Sequence, residues 1–403
     1  MADTDKQVDP GLKKPGGGLT VSDTLSKLLK AGKKMYDAVN DINTAMNNLY
    51  KVTDETAENY TRFLDSASNS ALKLGCSVSR LIDQTASWAK LGFSLDEAGK
   101  LAEISSVYAN IAKTDNGAAV SDIAAAMKAF NIEASDSITI VDKLKKLGSE
   151  YAASTADLGD GLSHSAAAMA AVGTDIDKTL AMLTGGAELS QNASDFGSFL
   201  AIGSMRIQGL KDDLESLGEE VHETADSISK VQTQILNHTG GKVNIFDNMG
   251  NLRDYFDIMQ DISKVYDDLR APDKADLADI MFGKQHGDQG AALIQAFQSG
   301  TIQKALETSL HAEGSAMQEQ ERWMESLEAK MRQFETAFQA LSSTILDSDL
   351  AKWFLDLGTD GVNALDCIID KIGALGTLGL GAELFGKFQN VDYLKTPVCP
   401  LYI

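Results

Sequence analysis

Residues 314–341 read GSAMQEQERWMESLEAKMRQFETAFQAL. After the first residue the stretch holds neither proline nor glycine, so no backbone donor is missing and no position loosens a helix. Its apolar residues Met324, Leu327, Met331, Phe334, Phe338 and Leu341, followed by Ile345, alternate at spacings of three and four. Met317 extends the series backwards and Gln320 interrupts it. Such a rhythm is the a and d pattern of three heptads, which keeps an apolar seam on one side of a helix. An unbroken helix is therefore expected, with another helix against the seam. A helix packed at a shallow angle in a bundle gives the same pattern. For a single chain, packing in a bundle or hairpin is favoured over an intermolecular coiled coil.

The same style of patterning runs upstream. From near Ser22, Leu25, Leu28, Leu29, Met35, Val39, Ile42, Met46 and Leu49 fall near one helical face, and a second such segment covers about 53–90. Three stretches beginning at Trp88, Ala126 and Ala168 then share a plan: a helix end rich in small residues, a short break, a polar cap and a new helix. Their spacing of about 40 residues is that of helical-hairpin repeats, although any string of short antiparallel helices looks alike. Ser94 with Glu97 spells a capping box, and Thr174 with Asp177 a looser one. Residues 149–209 are rich in alanine, glycine and serine, which let helices approach closely. One amphipathic helix is expected over 212–236, and another over 252–269 on Leu252, Tyr255, Met259, Ile262, Tyr266 and Leu269. Between them, Val243 to Phe246 with a turn at Asn248 to Asn251 is the one β-hairpin-like break, near 243–251.

The fold class that follows is mainly α: an elongated array of short amphipathic helices and helical hairpins with coiled-coil-like segments. Between Gly16 and Lys395 the only proline is Pro272, so little interrupts a helix. Four regions are expected: a disordered arm at 1–20, a helical core with weak repeats at 21–210, a long-helix part at 211–348, and an apolar, glycine-rich segment with a tail at 349–403. The net charge of −22 repels nucleic-acid phosphates and argues against DNA or RNA as partner. The three cysteines, Cys76, Cys367 and Cys399, are far apart and odd in number, which fits a reducing compartment. The N-terminal stretch lacks the apolar run of a secretory signal.

No constellation for catalysis, a cofactor or a metal emerges. The five histidines, His164, His222, His238, His286 and His311, show no metal-ligand spacing. Ser163 and His164 are chain neighbours that point apart on a helix, not a nucleophile and its base. The stretch from Asp247 has its glycine fourth and Ile258 twelfth, so it is no calcium loop. Residues 283–290 lack the ending of a phosphate loop and read as a flexible connection between helices. The acidic pairs Glu219-Glu220 and Asp267-Asp268 read as solvated helix faces.

An ordered set of pieces carries a resemblance. NIFDNMGNLRDYFDIMQDI from Asn244, DKADLADIMFGKQHGDQGAALIQAF from Asp273, the heptad stretch, and DLAKWFLDLGTDGVNALDCIIDKIG from Asp349 together resemble the core of phage tail tape-measure proteins, as do the short helices over about 60–209. That resemblance implies a long helical scaffold inside the tail tube, whose length sets the number of tube rings and which leaves ahead of the genome at infection. It implies a virion location inside the tail after synthesis in the host cytoplasm. Implied partners are further copies of the chain, tail-tube proteins, tail-assembly chaperones and the host membrane at infection. The heptad residues with Leu252, Met259 and Ile262 are then interaction seams. The chain is short for that family and reads as an assembly core without the extended ruler or a lytic domain.

The alternative is a membrane-active helical protein that aids envelope passage or forms a pore. It rests on Trp353, Phe354, Ile368, Ile369, Leu378 and Leu380, in a glycine-rich apolar segment too short to span. An enzyme is not expected.

Overall fold

In the computed structural model the described residues are 37–221 and 225–346. The arm at 1–20 and the six membrane-candidate residues lie outside them. The helices follow in order: α1 (37–50), α2 (Ala57–Leu74), α3 (Val78–Lys90), α4 (Leu95–Ala112), α5 (Asn116–Phe130), α6 (Ile138–Glu150), α7 (Thr155–Ala171), α8 (Ile176–Ser190) and α9 (Ala193–Gln208). Then come α10 (Lys211–Ser216), α11 (Ile228–His238), α12 (Tyr255–Tyr266), α13 (Ala271–Phe282), α14 (Gly287–Gln298), α15 (Thr301–Leu310), α16 (Ser315–Met324) and α17 (Leu327–Leu346). The expectation of a mainly α chain holds.

The chain divides into two units, residues 41–337, and the two chain ends 1–40 and 338–403. Of the ends, residues 37–40 and 338–346 are described, and both are helical. In the larger unit, buried apolar residues from Ile42 to Ala316 make one continuous core. The helix starts are written in the sequence. Thr56, Ser77, Ser94, Asp115, Ser154, Asp175, Asn192 and Asp254 each accept a hydrogen bond from a free amide of the first turn. The Ser94–Glu97 capping box is formed in both directions. At the looser box the cap is Asp175 instead, because the Thr174 hydroxyl accepts from the Tyr255 amide and ties α8 to α12.

The small residues of 149–209 do what their size permits. Helix α7 lies along α9 and against α5, and α8 lies against α14 and α15. At the α7–α9 crossing, a Cβ on Gly197 would collide with the Gly161 carbonyl, and one on Gly161 with the Ala193 carbonyl. The two backbones touch where only glycine fits.

Three expectations are corrected. The helix over 212–236 is two helices: α10 stops at Gly218, whose φ of +83° is left-handed, and α11 starts only at Ile228. The hairpin near 243–251 is a turn closed by one antiparallel bridge, Phe246 to Leu252, and no strand forms among the described residues. Asp247 explains the turn, since its carboxylate accepts from the amides of Met249 and Asn251. The stretch 314–341 is not one helix. It breaks at Glu325–Ser326, where each amide bonds three residues back, to Arg322 and Trp323, and the Ser326 hydroxyl caps the next helix through the Ala329 amide.

Candidate functional site

Helix α16 lies across α4 and α6 of its own chain, which favours intramolecular packing for this half of the stretch. The seat is built from helix ends. The first amides of a helix and its last carbonyls lack partners inside the helix. At the start of α16, Asp142 of α6 supplies them: its carboxylate accepts from Gly314 N at 3.0 Å and Ala316 N at 2.8 Å. Gly314 has no side chain to cap the helix itself. A carboxylate there also faces the positive end of the helix dipole.

The far end of the seat is the C-terminus of α2. The Leu74 carbonyl accepts from Asn110 Nδ2 at 2.9 Å and from Gln320 Nε2 at 3.0 Å, and Gln320 Oε1 accepts from Asn110 at 3.3 Å. Gln333 reaches the Leu72 carbonyl at 3.4 Å. The Thr336 hydroxyl lies 2.7 Å from the Cys76 carbonyl. Gln320, the residue that interrupts the heptad, is thus 3% exposed and spent on a neighbour's helix end. Around it, Trp323 and Met324 lie over Gly75, and the Arg332 guanidinium sits 5.7 Å from the Trp323 ring across the break. Burial pushes the Cys76 thiol up to about 11, so it stays protonated and unreactive at neutral pH.

The segment docks through one face and shows another. Ala316, Gln320, Ala329 and Thr336 are buried, whereas Met317 is 45% and Met331 60% exposed. Met324 is half-buried. The side chains of Leu327, Phe334, Phe338, Leu341 and Ile345 lie outside the described residues. Met259 and Ile262 are buried in the core on α12, and Leu252 is half-buried at the bridge.

Two buried polar groupings were not legible in the sequence. Glu219, expected on a solvated face, is 8% exposed and paired with Arg206 of α9 and with His286 Nε2 at 3.0 Å. Burial opposes its ionisation, but the hydrogen bonds from His286 and Arg206 outweigh that and hold its pKa below the ordinary carboxylate range. Gly283, at the start of the 283–290 connection, lies against the Arg206 guanidinium. Glu220, Asp267 and Asp268 are exposed as expected. The second grouping is Tyr108 and Asp122, whose side chains meet at 3.0 Å beneath α7. Burial raises both groups, Asp122 to about 6.

Arg206 and Glu219 line a cavity together with Leu214, His238 and Lys284, and no cluster of histidine, cysteine and carboxylates among the described residues is arranged to hold a metal. Ser163 and His164 bond to different partners, the Asp160 carbonyl and Ser194. What the structure offers is a helical scaffold and a docked segment that exposes Met317 and Met331. Residues 64–283 match a family model described as phage-related minor tail protein. No solved structure matches the chain.

Proposed function

This chain belongs to the phage-related minor tail protein family, a structural component of the phage tail and so of the virion, and from that premise we propose that it acts as the tail's tape measure. On this reading the chain is a non-enzymatic scaffold held inside the tail tube, and the length of its helical part sets how many rings assemble. The carrying observation is the family match, which spans α3 to α13 whole with most of α2. The heptad register from Met317 to Ile345, beyond the matched region, supports an extended helical part. Its partners would be further copies of the chain, the tail-tube protein that surrounds it and the chaperones that hold it before assembly. Ejection ahead of the genome belongs to the same proposal.

The membrane-active reading gains no support from the described residues: none of their helices is long and apolar enough to cross a membrane.

The test is tail length by electron microscopy in the phage that encodes the chain. The 28 residues from Met317 to Thr344 are duplicated in frame, which preserves the heptads. The expected tail is longer by roughly 42 Å, at about 1.5 Å per residue. Tails of unchanged length would overturn the ruler reading for this segment.

A further inference from the structure

Arg206 is 6% exposed, yet part of its donor capacity is unused. One terminal nitrogen of the guanidinium donates to Glu219 and the other to the Glu220 carbonyl at 3.1 Å, while its Nε–H has no acceptor. A buried donor without a partner is a standing cost that an incoming acceptor relieves. Arg206 lines a cavity of about 310 Å³ between α9, α10, α11 and α13. Leu214, Val221 and Ile280 give the cavity an apolar wall, and Glu220 and Asp276 line it as exposed carboxylates. The Glu220 carboxylate has no partner among the described residues. Asp276 reaches the His238 ring at 3.9 Å, and that ring already serves Asp273. With Arg206 neutralised by Glu219, the carboxylates of Glu220, Asp276 and Asp279 outweigh Lys284 in the lining. Asp212 and Asp213, exposed on the same short helix as Leu214, extend the negative field.

We propose that this cavity binds a lysine- or arginine-bearing peptide segment of another protein, with a peptide carbonyl accepting from Arg206 Nε and the cationic side chain held by Glu220 and Asp276. The three kinds of lining group select that chemistry together. The buried donor asks for an acceptor, and a neutral carbonyl suits it better than an anion, because Glu219 already stands beside the guanidinium. The exposed carboxylates ask for a cation, which keeps most of its hydration at the rim and so escapes the cost of burying a charge. The wall of Leu214, Val221 and Ile280 between them suits the aliphatic stem of lysine or arginine. A small polyamine would meet the carboxylates but brings no acceptor for Arg206. The inference concerns this one cavity and does not rest on the tape-measure reading.

The experiment is calorimetric titration of the full chain with an acetylated, amidated pentapeptide of alternating alanine and lysine, and with spermidine. Saturable binding of the peptide is expected, weakened about tenfold by Glu220→Gln with Asp276→Asn, a few-fold for each carboxylate. Glu133→Gln with Asp136→Asn removes the same charge from exposed residues that do not line the cavity, and should leave binding unchanged. Equal weakening by both pairs would mean attraction to the acidic surface at large and overturns the proposal, as does spermidine bound as tightly as the peptide. NMR of the arginine-labelled chain reads the buried donor directly. The Arg206 Nε–H signal shifts on saturation with the peptide and stays in place with spermidine. A signal that the peptide leaves unmoved overturns the proposal. If the cavity variant fails to fold, as judged by circular dichroism, the NMR titration of wild type decides alone.

Discussion

The α7–α9 crossing and the docked strap of α16 and the start of α17 (residues 315–337) are both helix on helix, yet they are held differently. At the crossing, Gly161 and Gly197 bring two backbones into contact, and the buried Leu158, Leu162, Phe196, Phe199 and Leu200 fill the space around them. With the two backbones in contact, a slide or tilt there costs a void or a collision. On the strap, the buried side chains among the described residues are Ala316, Gln320, Ala329 and Thr336. The seat is defined by hydrogen bonds to helix ends, each of which water can replace at a net cost of about 1 kcal/mol. The first arrangement is fixed by shape, and the second is fixed by polar partners on other helices. The family match covers the first and stops short of the second.

That contrast is broken if the rigid region tolerates changes the strap does not. Glu219→Ala is expected to have the largest effect, about 3–5 kcal/mol, because Arg206 stays buried without its counter-charge. Urea unfolding at neutral pH measures it. The acid limb gives a second reading. With its folded pKa held below the ordinary value, Glu219 contributes stability above that value and loses it as pH falls through the folded one. The variant should therefore lose part of the wild type's acid sensitivity. Gly197→Ala comes next, at about 3 kcal/mol, since its one added methyl meets the Gly161 backbone and not a side chain that can turn away. A cost below about 1 kcal/mol would mean that the crossing yields, and that the region is no more rigid than the strap.

On the strap the expected costs are smaller and local. Gln320→Leu removes a donor from the Leu74 carbonyl, though Asn110 still serves it. It should cost about 1 kcal/mol. Amides of α16 should exchange faster while those of α7 and α9 stay unchanged. An equal rise in both would join the two regions in one cooperative unit and remove the contrast between them.

How much of this the sequence disclosed follows from the range of each interaction. Helix identity and starts were legible because capping boxes, heptads and scarce prolines act within a few residues. Ser94 with Glu97 reads directly, whereas Thr174 misleads by one residue because its hydroxyl serves Tyr255, 81 positions away. The close packing of 149–209 was legible as small residues, but not which glycines would touch. The strap's seat was not legible at all. Asp142, Asn110 and Gln320 come from three helices, and only the fold makes the glutamine a cap instead of a flaw in a seam. Glu219 failed for a related reason: beside Glu220 it looks solvated, and only Gly218 turns it inward to Arg206 and His286.

An effect of similar size and opposite sign lies beneath α7, at Asp122, and its sign separates cost from support in the rigid region. Its carboxyl is pushed up to about 6, first by burial, against the opposing hydrogen bond from Tyr108. A raised carboxyl means that the folded chain holds a proton the unfolded chain has released. Between about pH 4 and about 6, stability therefore falls as pH rises, and above that window the charged group is a standing penalty. Asp122→Asn keeps an oxygen to accept from Tyr108 and removes the charge. It is expected to stabilise the chain by about 1 kcal/mol at pH 7.5, discounted for residual solvent access, and to be neutral near pH 4. Thermal unfolding at the two pH values measures the difference. If the variant is less stable at pH 7.5, the carboxylate's charge supports the α4–α5–α7 contact. The rigid region would then owe its shape to an ionic anchor as much as to packing.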